Sequence, residues 1–176
     1  MKQDYPLAFE TDVCVVGGGP TGVAAALSAA RNGASVLLIE RMGFLGGSAT
    51  AMQVPAFAPF SDRTKAIVRG IGWEVMTEHQ RRLGHRLPHP DSYHKPQDNG
   101  RMDWVPIDVE LLKRLYDELC DAAGVTVLFH TFVPAVQQNT ERLEAIVLAN
   151  KAGLSVAKAS VFIDATGDGD LAARAG

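Results

Sequence analysis

The chain has little of what would tie it together covalently or carry it into a membrane. Only two of its 176 residues are cysteine, Cys14 and Cys120, and they do not stand in CxxC spacing. That leaves no dithiol redox motif. One thiol in an apolar strand and one on a predicted helix read as core residues. No run approaches the ~18 consecutive apolar residues of a membrane span. The start, MKQDYPLAFETD, has no apolar signal-peptide core, so the expected location is cytoplasmic. Basic blocks are missing too. Net charge is −3, and a nucleic-acid surface is not indicated. What remains is a chain of single-domain size, or one domain and part of another, whose 47% apolar content supplies a real core.

The most informative stretch is DVCVVGGGPTGVAAALSAARNGASVLLIE, Asp12 to Glu40. Val13 to Val16 is short and β-branched, as a buried strand requires. A turn of Gly17, Gly18, Gly19, Pro20, Thr21 and Gly22 follows directly. A helix pattern from Val23 to Arg31 then stops at Asn32-Gly33. A second apolar run, Ser35 to Ile39, ends in the acid Glu40. Strand, glycine turn, helix, strand and acid make the minimal unit of a dinucleotide-binding fold.

Each residue type answers a separate need. Gly17 lets the chain turn sharply out of the strand. Gly19 lets backbone approach a pyrophosphate. Gly22 and the alanines after it let the helix pack closely on the sheet. The helix N-terminus offers free N–H groups and about half a positive charge to phosphates. Glu40 is placed to accept hydrogen bonds from ribose hydroxyls, and it would repel a 2′-phosphate, so an NADP-type ligand is disfavoured.

Further along, Arg41 to Thr50 is a second glycine-rich loop, in which Gly46 and Gly47 are expected to bring N–H groups near a ligand. Residues 51–62 read as extended, with Pro55 and Pro59. A helix is expected over Thr64 to Leu83, weakened by Gly70 and Gly72, with Trp73 packed in a core. Residues 84–106 form a long proline-broken loop. It carries His85, His89 and His94 without acid or cysteine partners at ligand spacing, so no metal is expected. Arg101 in the same loop reads as a surface residue. Ile107 to Ala123 is a clear helix with Pro106 and Asp108 at its start. Val125 to Phe129 follows as a strand. Thr131 to Gln137, Arg142 to Ala149 and Leu154 to Ala157 read as a small meander, with turns at Asn139-Thr140 and Lys151 to Gly153. Ser160 to Ala165 then reads as one more parallel strand. It runs into Thr166-Gly167-Asp168-Gly169-Asp170 and a helix from Leu171.

These motifs resemble the flavoprotein oxidoreductases of the glutathione-reductase-like, two-dinucleotide-fold type, and within them the bacterial FAD-dependent oxidoreductases. VVGGGPTGVAAALSAARNGASVLLIER, GFLGGSAT and DATGDGDLAARAG carry the likeness, which runs over nearly the whole chain. It implies an α/β, Rossmann-like FAD-binding domain over 1–60 and 107–176. A parallel sheet and a β-meander crossover would form it, with 61–106 as a helical and loop insertion on the substrate side. FAD is the implied cofactor, with flavin-mediated hydride or electron transfer to a small organic substrate. By position, Gly17, Gly19 and Gly22, with Pro20 and Thr21 among them, match the pyrophosphate turn. Glu40 matches the adenosine-ribose ligand, with Arg41 beside the adenine or ribose. Gly46, Gly47 and Ser48 match a loop along the phosphates and ribityl chain. Val133 matches a position whose backbone contacts adenine. Thr166, Gly167 and Asp168 match a second flavin-contacting turn.

The family continues well past that second turn, so the expectation is an N-terminal portion of a longer flavoprotein. No residue stands out as a catalytic acid or base. Two readings stay open: the FAD half of an oxidoreductase, and a non-catalytic nucleotide-binding module that lacks the rest of the flavin site. An NAD-binding dehydrogenase domain is a third, opposed by the meander and the late DATGDGD turn. Homo-oligomerisation is left open.

Overall fold

The computed structural model of the chain describes residues 5–62, 64–87, 89–92, 104–139 and 142–176. His94, Arg101 and Thr140, singled out above, lie outside them. The chain divides into two compact units, Met1–Gly47 with Tyr116–Gly176, and Ser48–Leu115.

The elements of the first unit follow the hydrophobic pattern closely. Strand β1 is Leu7–Val16, helix α1 Pro20–Arg31 and strand β2 Val36–Ile39. In the second unit, β3 is Ala56–Phe57, α2 Ile71–Arg82 and β4 Val105–Pro106. Helix α3, Val109–Ala122, begins in the second unit and ends in the first. Strands β5 (Thr126–Leu128), β6 (Phe132–Gln138), β7 (Leu143–Asn150) and β8 (Gly153–Asp164) and helix α4 (Asp170–Ala175) complete the first unit.

Six strands form one sheet in the order β5-β2-β1-β8-β7-β6. The first four run parallel, and β7 and β6 are antiparallel. All four residues of β2 are buried, as befits a parallel strand covered on both faces. On one face, Cys14, Val16, Leu37 and Ile39 form a core with Ile146 and Leu148 of β7, Ala157 of β8 and Leu171 of α4. The core on this face therefore runs on from the parallel strands across β8 to β7. Val15 and Leu38 point to the opposite face, where α1 packs on β1 and β2, and both are fully buried. Burial raises the Cys14 thiol to about 12, which keeps it a protonated core group.

Two strands are longer than the apolar runs suggest. The first strand begins well ahead of the apolar run at Val13: Leu7 pairs with Val156, and Glu10 with Lys158, beyond a bulge. The third meander strand and the last parallel strand are one continuous strand, β8. Its first part pairs antiparallel with β7 and its last part parallel with β1, from Leu7↔Val156 to Val16↔Asp164. Lys158 and Ser160 interrupt the apolar pattern at exposed positions, although the backbone continues through them.

In the second unit, α2 starts at Ile71 rather than Thr64. Asp62 accepts hydrogen bonds from the Thr64 and Lys65 amides, both at 2.8 Å, closing a turn there. Gly70, with φ at 65°, breaks the helix pattern once more. Pro106 lies in β4, paired with Ala56, and Asp108 caps α3 by accepting from Leu111 N at 2.8 Å. His79 of α2 is fully buried, its Nε2 3.0 Å from the Asp108 carbonyl oxygen. Trp73 is half-buried and tilts against Phe60, ring centroids 6.2 Å apart. His85 and His89 are exposed. Among the described residues no three His, Cys, Asp or Glu side chains group as metal ligands would, and no helix is long and apolar enough to cross a membrane.

Candidate cofactor site

Three of the four glycines in the first turn are enclosed by protein, and one is not. Gly17 has φ at 105°, donates its N–H to Ile39 O at 2.8 Å, and a Cβ on it would overlap the Ala165 carbonyl. A Cβ on Gly22 would overlap the Gly17 carbonyl oxygen and stand 3.3 Å from Ala165 Cβ. One on Gly18 would lie 2.5 Å from Leu45 Cδ2 and 2.9 Å from Glu40 Oε2. Gly18 was not picked out from the sequence, because the x of GxGxxG accepts any residue in general. Here the Leu45 and Glu40 side chains crowd it, so a larger residue would have to push them aside. Gly19 differs: the nearest atom to a Cβ there is Gly47 Cα, at 3.9 Å. Its missing side chain leaves room for a ligand.

That room sits at the start of α1. Gly19 is the N-cap and makes no side-chain cap hydrogen bond, and Pro20 occupies the first helical turn. A glycine at the N-cap has no side chain to accept from these amides, and no carboxylate or hydroxyl among the described residues caps them, so the helix presents its N-terminal amides and positive dipole end. This is the arrangement that binds phosphate. Thr21 beside it is exposed.

Glu40 is buried at the end of β2. Its Oε2 accepts from Gly18 N at 2.7 Å and its Oε1 from Met42 N at 2.7 Å. The carboxylate thus braces the glycine turn as well as ending the strand. Each oxygen has a second lone pair for a ribose hydroxyl. Arg41, next along, is exposed.

The loop after β2 closes on the same turn. The Gly46 N–H, expected to point at a ligand, donates to Gly18 O at 2.8 Å instead. It supports the turn. Gly47, with φ at 50°, lies so close that a Cβ on it would stand 3.0 Å from Gly19 Cα. Ser48 follows, exposed, as the first residue of the second unit.

The second turn stands at the end of β8, beside β1. The Ala165 N–H donates to Val16 O at 2.8 Å, so the two turns leave neighbouring strands at the same level. Asp164 organises it. One carboxylate oxygen accepts from Thr166 N at 3.0 Å and Thr166 Oγ1 at 2.7 Å, the other from Ala172 N at 2.9 Å. Thr166 Oγ1 in turn accepts from Asp170 N at 2.9 Å. Burial pushes the Asp164 pKa up, and hydrogen bonds from Ala172, Thr166 and Leu171 outweigh it, so the net shift is downward. Asp164 was missed in the sequence, although Asp-Ala-Thr has the spacing of an Asx turn. Gly167 and Asp168 are exposed at its tip.

Val133 packs its side chain on the core of β1 and β2. The β6–β7 register shifts between Phe132 and Ala135, so Val133 stands in a bulge. Bulges take backbone groups out of the ladder and re-aim them, often beside functional sites.

Comparison with known proteins shows the family, the fold and the cofactor. The family model for FAD dependent oxidoreductases matches residues 12–176. A Methanosarcina barkeri protein, described as an uncharacterized protein in the nifH2 5′ region, is 43% identical over 58 residues, which cover 33% of this chain and 30% of that protein. A geranylgeranyl bacteriochlorophyll reductase-like protein of Thermoplasma acidophilum superposes with a TM-score of 0.65 at 18% identity, covering 96% of this chain and 42% of that one. THI4 of Thermovibrio ammonificans gives 0.57 at 22% identity, covering 89% and 57%. At such identities the two structures speak for the fold. The chain spans about half or less of the length of each of these proteins. With the family match running from the first strand to the last helix, the chain belongs to the FAD dependent oxidoreductases, and FAD is its cofactor.

Proposed function

We propose that the first unit grips the adenosine diphosphate half of FAD, and that the chain serves as the nucleotide-holding part of an oxidoreductase acting on a small organic molecule. FAD supplies the electron-accepting and electron-donating centre. The chain's own residues bind and orient it. The amides at the start of α1 take the diphosphate across the open face of Gly19, with Pro20 and Thr21 shaping the first turn and Gly47 lining the opposite side. Glu40 takes the ribose hydroxyls, with Arg41 beside them, and the backbone of Val133 meets the adenine. Thr166, Gly167 and Asp168 extend the grip toward the ribityl chain and the flavin. Substrate recognition is assigned outside these residues, to the stretch from 61 to 106. A cytoplasmic location and self-association remain part of this reading, the latter testable by sedimentation.

The observation that carries the proposal is the contrast within one turn: Gly17, Gly18 and Gly22 are closed by protein atoms, and Gly19 is open at an uncapped helix end. Purified protein should take up FAD and show flavin bands near ~450 and ~370 nm. Gly19→Val should not, because its side chain fills the diphosphate position. Normal FAD uptake by Gly19→Val, with the protein folded, would overturn the assignment.

A further inference from the structure

The stretch from Phe44 to Ser61 holds no Asp, Glu, Lys, Arg or His, in a chain 21% of whose residues are Asp, Glu, Lys or Arg. Residues 51–55 within it are nevertheless all exposed, Met52 at 76% and Val54 at 41%. Between these two, Gln53 has φ at 54°, a left-handed conformation shared among the described non-glycine residues only with His130. Such positions cost free energy and persist where the surroundings hold them. The second unit holds this one. Val54 N donates to Ser48 O at 3.1 Å and Ile107 N to Pro55 O at 2.9 Å, and β3 pairs with β4 directly afterwards. The Gln53 side-chain amide bonds to no described residue. A fixed backbone thus presents two apolar side chains and a hydrogen-bonding amide to solvent.

We infer that Met52, Gln53 and Val54 contact the substrate, and that this substrate is an uncharged, largely apolar molecule with a carbonyl or hydroxyl oxygen. The inference rests on the oxidoreductase reading and adds these residues to the stretch given to substrate there. Exposed apolar side chains held in a fixed array mark ligand or partner surfaces. Their position along the chain favours a molecule that meets the cofactor. Ser48 directly follows Gly47 of the glycine loop, and the bond from Val54 brings the segment back to Ser48, within a few residues' reach of Gly47. The chemistry of the segment sets the class. It has no counter-charge of its own, so a carboxylate or ammonium laid on it would lose water and gain no partner. The unbranched Met52 side chain adapts to apolar shapes of many kinds. The Gln53 amide both donates and accepts, so it serves carbonyl and hydroxyl oxygens alike.

The test is an NMR titration of the FAD-loaded chain, isotopically labelled in its methionine methyl groups, with the Met52 signal assigned by Met52→Leu. The probes are cyclohexanone, cyclohexanecarboxylate and cyclohexylammonium, which share a ring and differ in charge. Cyclohexanone should shift the Met52 signal to saturation, with an affinity about tenfold or more above that of either ion. Gln53→Gly keeps the left-handed backbone without strain and removes the amide. It should not lower the melting temperature, and it should weaken cyclohexanone binding roughly fivefold. Should that variant be unfolded by circular dichroism, Gln53→Asn, which tolerates the conformation but has a shorter reach, takes its place with the same expectation. An equal response to all three probes, no response to any, or unchanged cyclohexanone binding by the variant would overturn the inference. So would a Met52 signal that moves with protein concentration alone, since the segment would then be a contact between copies. A wild-type chain that retains no FAD would instead overturn the nucleotide assignment, and this inference with it.

Discussion

The two glycine-rich turns make an instructive pair. Both follow a parallel strand, both open a helix, and both leave the same end of the sheet on neighbouring strands, β1 and β8. Yet they are built oppositely. The second is closed by its own side chains, with Asp164 and Thr166 taking amides from Thr166, Asp170 and Ala172. The first is closed by backbone against backbone, through Gly17 and Gly22, and receives one side chain from a distance, Glu40. Its helix amides are left uncapped. On the proposed reading, the second turn holds its own shape and serves the cofactor with its tip, while the first offers its helix amides to the diphosphate.

The comparison breaks most visibly at Gly22. Gly22→Ala should lower unfolding free energy by at least about 3 kcal/mol in urea titration, because the new Cβ meets a carbonyl that cannot move without moving β1. A smaller cost would mean that the first turn is looser than its glycines imply. Gly19→Val should reverse the pattern. FAD retention through a desalting column should be lost, while unfolding changes by only about 1 kcal/mol, the cost of a poor N-cap.

Glu40→Ala lies between these two. FAD should bind more weakly by about 1–3 kcal/mol, and the fold should lose a similar amount, because Gly18 N–H is left buried without its acceptor. Loss of binding with no loss of stability would remove the bracing role. For the second turn the readout is pH. The Asp164 pKa is lowered on folding, so its contribution is fully present above the unfolded value near ~3.9 and is lost as pH falls through the lower native value. Wild type should therefore lose stability between about pH 5 and pH 3, and Asp164→Asn should show a flatter profile over the same range. Identical profiles would show that Asp164 is not what holds that turn.

Much of the first unit was legible because its signals are local. A β-branched run, a glycine turn and a small-residue helix need only adjacent residues to be read, and β1, α1, β2 and β5 lie where that pattern puts them. What escaped depended on partners far along the chain. Ala8 to Asp12 alternate in exposure, and the residues from Leu7 become strand by pairing with β8. Lys158 and Ser160 made β8 look like two strands, though one backbone serves both neighbours. The crowding of Gly18 by Leu45 and Glu40, from 22 and more residues away, is not something spacing reveals. In the second unit, the residues from Thr64 to Gly70 had a helical pattern that the Asp62 turn and the Gly70 backbone override.

The sharing of β8 bears on how the protein comes into being. Its parallel ladder with β1 joins residues about as distant in the chain as any two strands allow, from Leu7↔Val156 to Val16↔Asp164. Contacts of such long sequence separation form slowly, because the intervening loop must first be closed. During synthesis the first strand therefore has its lasting neighbour on one side only after the meander has emerged from the ribosome. Until then that edge of β1 lacks its partner, and unpaired strand edges are in general where chains pair wrongly.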